Sequence, residues 1–247
     1  MNGCGMRSVL VLSLLFLYLI LMIPMHLILL LIGKFNLNLR YRLGNFFVYW
    51  AFRWELFVTQ AKIEVKGIEN IPDEPVLFVS NHRSYYDILV IHTTCTKRPG
   101  FIAKKEIGEF PLLSWWMKDI CCIFLDRNDL RSGIQMIKDG AEMIKNGHSM
   151  VIFPEGHRNR KPELAQFKEG SLKLAEKAGC PIIPVTLIDT NQLLEVRPGF
   201  NVKKGNVKAI YGKPIYLKEL PREEKKKAGA YVQSIIEDTI KKETGRE

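Results

Sequence analysis

At 247 residues the chain has room for one sizeable domain, or one domain with an appendage. Hydrophobic residues at 47% against 25% charged exclude a wholly disordered tail, and 18 glycines with 12 prolines exclude collagenous and low-complexity classes. With 36 Lys and Arg against 26 Asp and Glu the net charge is +10, which suits an acidic partner: nucleic acid, anionic lipid or a phosphorylated substrate.

The first element is residues 9–32, an apolar run without a formal charge. As one helix it would be roughly 36 Å long at about 1.5 Å per residue, enough to cross a hydrocarbon core. A buried core helix would show a polar face, and this one shows none. A signal peptide is a second reading, opposed by the length of the run and by the lack of a small-x-small cleavage site. A third is a helix dipping into one leaflet, which Pro24 and His26 permit by breaking the run. Membrane embedding is expected; spanning and dipping both stay open.

An aromatic stretch follows: Phe46, Phe47, Tyr49, Trp50, Phe52, Trp54 and Phe57, with Arg53 among them and Arg40 and Arg42 just before. Such residues gather at the headgroup level because each joins an apolar body to a polar end. The plainer reading is a helix packed on the following domain. Residues 1–61 are thus expected to form a membrane-embedded hairpin, with helices over 9–32 and 43–59. Arg7 precedes the apolar run, while Lys34, Arg40, Arg42 and Arg53 follow it, so the positive-inside rule puts the C-terminal bulk on the cytoplasmic face of the membrane.

Residues 62–247 read as α/β. Strands are expected at 76–80, 101–103, 123–125, 150–153, 182–188 and 207–211, and helices at 88–94, 112–119, 133–145 and 170–178. Gly147 and Gly179 are the expected stops of two of them. This alternation predicts a mostly parallel sheet with helices on its faces. A charged helix over 221–243 closes the chain, with Tyr231, Ile235, Ile236 and Ile240 facing inward and EEKKK at 223–227 as a solvated face.

Chemistry gathers where strands end, the usual ligand edge of such sheets. Asn81, His82 and Asp87 follow the first strand. A regular helix would put His82 and Asp87 on different faces, so they meet only across a sharp turn. In that case Asp87 would fix one imidazole tautomer and leave the other nitrogen to take a proton. Otherwise Asp87 is simply the N-cap of the next helix. In residues 151–160, Pro154, Glu155 and Gly156 give a tight turn, and Arg158 and Arg160 supply charge for a phosphate. Arg127 follows a third strand, and Lys104 and Lys105 a fourth.

These segments resemble the glycerophospholipid acyltransferases. NHRSYYD at 81–87 is similar to the family's NHxxxxD motif, and FPEGHRNR at 153–160 to its FPEG-T-R motif. FLDR at 124–127 and PIIPV at 181–185 are similar to two further blocks, and AKKEI at 103–107 and FKEG at 167–170 also fit. Order and spacing match over about residues 70–190, most nearly those of the bacterial 1-acyl-sn-glycerol-3-phosphate acyltransferases, which make phosphatidic acid. The resemblance implies that His82 is the general base and Asp87 its orienting partner. It implies that Arg127, Glu155, Gly156 and Arg158 bind the glycerol phosphate, with Lys105 a further contact, and that Pro184 shapes the acyl-donor side. Two positions depart. The threonine usual after FPEG is His157, a rival for the base, and the glycine expected six residues before Arg127 is Cys121, which leaves the substrate-loop geometry open.

The implied reaction moves an acyl group from acyl carrier protein or coenzyme A to the sn-2 hydroxyl of an anionic lysophospholipid at the membrane, with no cofactor. A secondary hydroxyl is barely acidic, so attack on a thioester needs a base, and a neutral imidazole suits. No GxSxG elbow offers a serine nucleophile. Cys121 and Cys122 lie in an apolar stretch and read as core. The five histidines (His26, His82, His92, His148, His157) include no HExxH pair, so no metal is expected, and five cysteines without a CxxC suit a reducing compartment. Within the enzyme class the rivals are acylation of glycerol-3-phosphate or of another lysophospholipid. Outside it stand a scaffold with a dead site and a membrane-tethered basic binding protein. A nucleic-acid partner is not expected, because no recognised nucleic-acid motif is present.

Overall fold

A computed structural model describes residues 3–196 and 201–245. Three helices come first: α1 (Gly3–Leu21), α2 (Ile23–Phe35) and α3 (Leu37–Thr59). The single helix expected over 9–32 is broken at Met22, where α1 and α2 are bent by 49°. Pro24 explains the break, since proline lacks an N–H and its ring clashes with the carbonyl one turn back. No single described helix is long and apolar enough to cross a membrane; only α1 and α2 taken together, across their bend, reach that length and composition. Asn36 caps α3, its side chain accepting the Leu39 N–H, and Gln60 closes it in a left-handed conformation.

The chain then enters a seven-stranded sheet whose strands are β1 (Ala61–Lys66), β2 (Leu77–Ser80), β3 (Gly100–Lys104), β4 (Ile123–Leu125), β5 (Met150–Ile152), β6 (Ile182–Ile188) and β7 (Gly205–Tyr211). Their order is β1-β7-β6-β2-β5-β3-β4. All neighbours are parallel except β6 and β7, so the sheet is mixed and mostly parallel, as the alternation implied. β1 was not expected, and because it begins at Ala61 the sheet already includes the last residue assigned to the hairpin.

Period-two alternation splits the core in two. Phe78, Val151, Ile183 and Val185 face a layer with Val48 and Leu56 of α3, Tyr86 and Val90 of α4 (Tyr86–Thr94) and Trp116 of α5 (Pro111–Asp119). Leu77, Val79, Met150 and Ile182 face the other way, onto Met136 and Ile144 of α6 (Leu130–Lys145), Leu174 of α7 (Lys173–Ala178), and Val232 and Ile236 of α9 (Ala228–Thr244). The terminal helix is interrupted at Lys227, the last residue of the exposed EEKKK segment, whose first four residues belong to the short α8 (Arg222–Lys226). Gly179 caps α7 at φ 74° and Gly147 follows α6 at φ 95°, both conformations that favour glycine.

α3 fits both readings of the aromatic stretch. One face packs inward through Tyr41, Gly44, Val48, Leu56 and Thr59, while Phe46, Trp50, Trp54 and Phe57 stay exposed. A buried ionic cluster ties the helices to the sheet domain. The fully buried Asp119 carboxylate takes His26 Nδ1 at 2.6 Å and Arg40 Nε at 2.7 Å. Gly44 lets α3 come this close, because a Cβ there would lie 2.5 Å from the Asp119 carbonyl oxygen.

Candidate active site

β2 and β5 lie side by side, and their C-terminal ends carry the HRSYYD and PEGHRN turns. Asn81 fixes the first. Its amide donates to the Leu187 carbonyl at 2.8 Å and its oxygen accepts the Leu187 N–H at 2.8 Å, so a side chain extends the β2–β6 ladder by one step. The next four residues curl into a turn, and His82 Nδ1 comes to 2.8 Å from Asp87 Oδ2. That oxygen also accepts the N–H groups of Arg83 at 2.7 Å and Ser84 at 2.8 Å. Asp87 thus closes the turn and orients the imidazole at once. It is not the helix N-cap, a position held by Tyr85 without a side-chain bond.

With the carboxylate oxygen accepting this bond, Nδ1 is its donor, and in the neutral ring Nε2 is then the acceptor nitrogen. Nε2 has no hydrogen-bond partner among the described residues, and the His82 side chain is 12% exposed. Phe153 stacks on the ring, with centroids 4.1 Å apart and planes 18° apart, and limits rotation out of this pose.

Glu155 departs from its expected part. It is 2% exposed, and its two oxygens accept the backbone N–H groups of His82 at 2.7 Å and Ala165 at 3.0 Å. A buried carboxylate so engaged braces the loops rather than receiving a phosphate, which it would repel. Asn159 completes the brace, donating its N–H to the His82 carbonyl at 2.8 Å. Gly156 sits at φ 75°, and a Cβ there would approach Lys168 Nζ to 3.0 Å. Arg158 lies over the Tyr85 ring at 3.6 Å, and its Nη1 donates to Glu195 at 3.2 Å. The same Glu195 oxygen accepts the Tyr85 N–H at 2.9 Å.

The two remaining phosphate candidates stand farther along the same edge. Lys105 is exposed and pairs with Asp126 at 3.3 Å. Arg127 is exposed, with no hydrogen bond or ion pair among the described residues. It follows β4, three strand spacings or roughly 14 Å from β2. His82, Asp87, Glu155, Gly156 and Arg158 therefore form one group, with Lys105 and Arg127 as outlying charges. His157 is exposed and has no carboxylate partner among the described residues, unlike His82. Cys121 adopts φ 62°, which explains why glycine is usual there. Burial pushes its thiol up and the Cys122 thiol up to about 12, so neither is a ready thiolate. Pro184 is buried within β6, and its carbonyl accepts the Gly212 N–H at 2.8 Å. Phe153 and Glu195 escaped the sequence reading. The first looked like a strand residue, and the second lies far along the chain from the arginine it holds.

Residues 62–188 match the family model described as Acyltransferase. The chain belongs to this acyltransferase family. It is 34% identical over 157 residues to the chloroplastic 1-acyl-sn-glycerol-3-phosphate acyltransferase LPAT1 of Arabidopsis thaliana, covering 63% of this chain and 44% of that one. It is also 34% identical over 137 residues to the 1-acyl-sn-glycerol-3-phosphate acyltransferase of Borreliella burgdorferi, covering 55% of each. The chain spans about half the length of these curated relatives. Its fold is similar to that of the 1-acyl-sn-glycerophosphate acyltransferase PlsC from Thermotoga maritima, with a TM-score of 0.72, 24% identity and 98% and 99% of the two chains covered.

Proposed function

We propose that the chain transfers a fatty acyl group from a thioester on acyl carrier protein or coenzyme A to the sn-2 hydroxyl of 1-acylglycerol-3-phosphate, forming phosphatidic acid. The relatives' names supply the acceptor, and one observation carries the chemistry: the His82 Nδ1···Asp87 Oδ2 bond, which leaves Nε2 unpartnered at a strand-end turn. Nε2 takes the hydroxyl proton as the oxygen attacks the thioester carbon. Asp87 stabilises the imidazolium so formed. When the tetrahedral intermediate collapses, the C–S bond breaks and the proton passes to the departing thiolate. No acyl-enzyme is needed.

Arg158 is one strand from His82 and is the arginine best placed for the acceptor phosphate. Glu195 holds it until a phosphate, which also offers paired oxygens, replaces that carboxylate. Arg127 and Lys105 add longer-range attraction for an anionic substrate.

The same reading puts α1–α3 in a membrane, with the sheet domain on its cytoplasmic side. Ser8 of α1 accepts the Val202 N–H at 2.8 Å, and His26 of α2 bonds Asp119 at 2.6 Å, so the helices meet the domain just before the apolar run and again within its second half. That pattern favours helices lying in one leaflet over a span leading away from the domain. The test is an acceptor panel in micelles of fixed composition, with both donors: lysophosphatidate, glycerol-3-phosphate, lysophosphatidylglycerol and monoacylglycerol. Lysophosphatidate should be preferred by kcat/KM, and equal use of monoacylglycerol would refute phosphate recognition.

A further inference from the structure

A groove of about 510 Å³ opens at the edge of the sheet opposite His82. It is lined where β3 begins at Gly100, where β5 is about to begin at Ser149 and at Cys121 just before β4. The length of β3 alone, five residues or roughly 16 Å, separates it from the catalytic edge. The mechanism does not use it.

Its charge is one-sided. Arg42, Lys97 and Arg98 line it together with His148, and no Asp or Glu does. Arg42 is exposed and has no hydrogen bond or ion pair among the described residues. Lys97 donates only to the Asp73 backbone carbonyl, and Arg98 lies over the Tyr49 ring at 4.4 Å, so neither charge meets a carboxylate. Arg98 also holds φ 43°, a left-handed conformation that costs a non-glycine residue energy and that tends to mark binding sites. Burial lowers the His148 pKa, so at neutral pH this ring bonds without adding charge. Lys66 and Lys208, by contrast, both pair with Glu243.

The other wall is α3. Leu39 and Phe46 are exposed in the groove beside Arg42, and the uncovered aromatic face of that helix continues beyond it at Trp50. A phosphate above an apolar body matches a cationic floor beside such a wall. We propose that the groove is a second anion site, which seats the phosphate headgroup of an anionic bilayer phospholipid at the sheet edge away from His82. This rests on the reading that α1–α3 lie in a membrane.

The test uses the full chain in neutral micelles, with native mass spectrometry counting bound lipid as phosphatidylglycerol, phosphatidylcholine or inorganic phosphate is added. The chains compared are wild type, the triple variant Arg42→Gln/Lys97→Gln/Arg98→Gln, the charge-matched control Lys225→Gln/Lys226→Gln/Lys227→Gln on the exposed segment around α8, and Arg158→Ala. Circular dichroism checks that each is folded. Wild type, the control and Arg158→Ala should hold one phosphatidylglycerol that the groove variant binds about tenfold more weakly or worse, a difference of about 1.4 kcal/mol. Phosphatidylcholine should not replace it. Undiminished binding by the groove variant would overturn the proposal, as would equal retention of phosphatidylcholine, equal binding of inorganic phosphate, or loss in Arg158→Ala instead. Flotation with anionic vesicles separates the two readings. If wild type fails to float, the membrane reading falls; if wild type floats while groove-variant lipid binding is normal, only the groove site falls.

Discussion

Replacing Asp119 by alanine should loosen the three N-terminal helices from the sheet domain. The carboxylate is fully buried and takes His26 Nδ1 at 2.6 Å, Arg40 Nε at 2.7 Å and Arg40 Nη2 at 2.5 Å. His26 is 3% exposed and stacks on Trp115 at 5.1 Å, so it has little water to turn to when its partner is lost. Breaking a buried pair by removing one member costs about 3–5 kcal/mol, because the other charge stays buried and uncompensated. A chain of this length loses about 2–4 °C in Tm per kcal/mol, which gives a fall of roughly 6–20 °C. Replacing all three partners together (His26→Leu, Arg40→Met, Asp119→Leu) should recover much of it, since apolar side chains of similar volume need no compensation. Thermal unfolding in micelles, followed by near-ultraviolet circular dichroism of the tryptophans beside His26, is the assay. A loss under about 1 kcal/mol in Asp119→Ala, or a triple variant no better than the single, would refute the reasoning.

Glu155→Gln should destabilise by about 1–3 kcal/mol, since an amide can accept only one of the two backbone N–H groups now held and turns an N–H toward the other. Its kcat should fall more than its KM changes, as the His82 loop loses its brace; unfolding curves and steady-state kinetics check both. Gly156→Ala should cost roughly 1–2 kcal/mol for its left-handed backbone, with a further cost where the new methyl meets Lys168, and differential scanning calorimetry reads it directly. Arg158→Lys keeps the charge but loses the fork, so kcat/KM for lysophosphatidate should drop about tenfold or more while monoacylglycerol is affected less. Equal losses on both acceptors would assign Arg158 to holding Glu195 and Tyr85 alone.

Much of the sheet was legible because several strands are continuous apolar runs: 123–125 and 182–188 match edge strand β4 and interior strand β6 to the residue. β1 was not, since AKIEVK puts a charge at every second position and buries only its other face in part. The antiparallel β6–β7 pair also lay beyond reach, because direction is set by the path of the chain between strands. Pro24 and His26 were visible as interruptions, yet the reason a histidine sits there lies 93 residues away in Asp119. In the site, local spacing was readable: a five-residue step from His82 to Asp87 needs a turn, and the turn is present. What stayed hidden was long-range. Glu195 reaches the Tyr85 amide across 110 residues, and Glu155 turned out to face backbone amides, which no motif distinguishes from facing a ligand.

The central claim is that His82 Nε2 removes the acceptor proton. It is tested most directly by measuring phosphatidic acid formation from lysophosphatidate and an acyl thioester at saturating substrate, with purified wild type, His82→Ala and His157→Ala in the same micelles. General-base catalysis contributes about 10²–10⁴-fold, so His82→Ala should fall by at least that range with its unfolding curve unchanged, while His157→Ala stays within about tenfold of wild type. A His82→Ala enzyme that keeps its rate, or a dead His157→Ala beside it, would contradict the account.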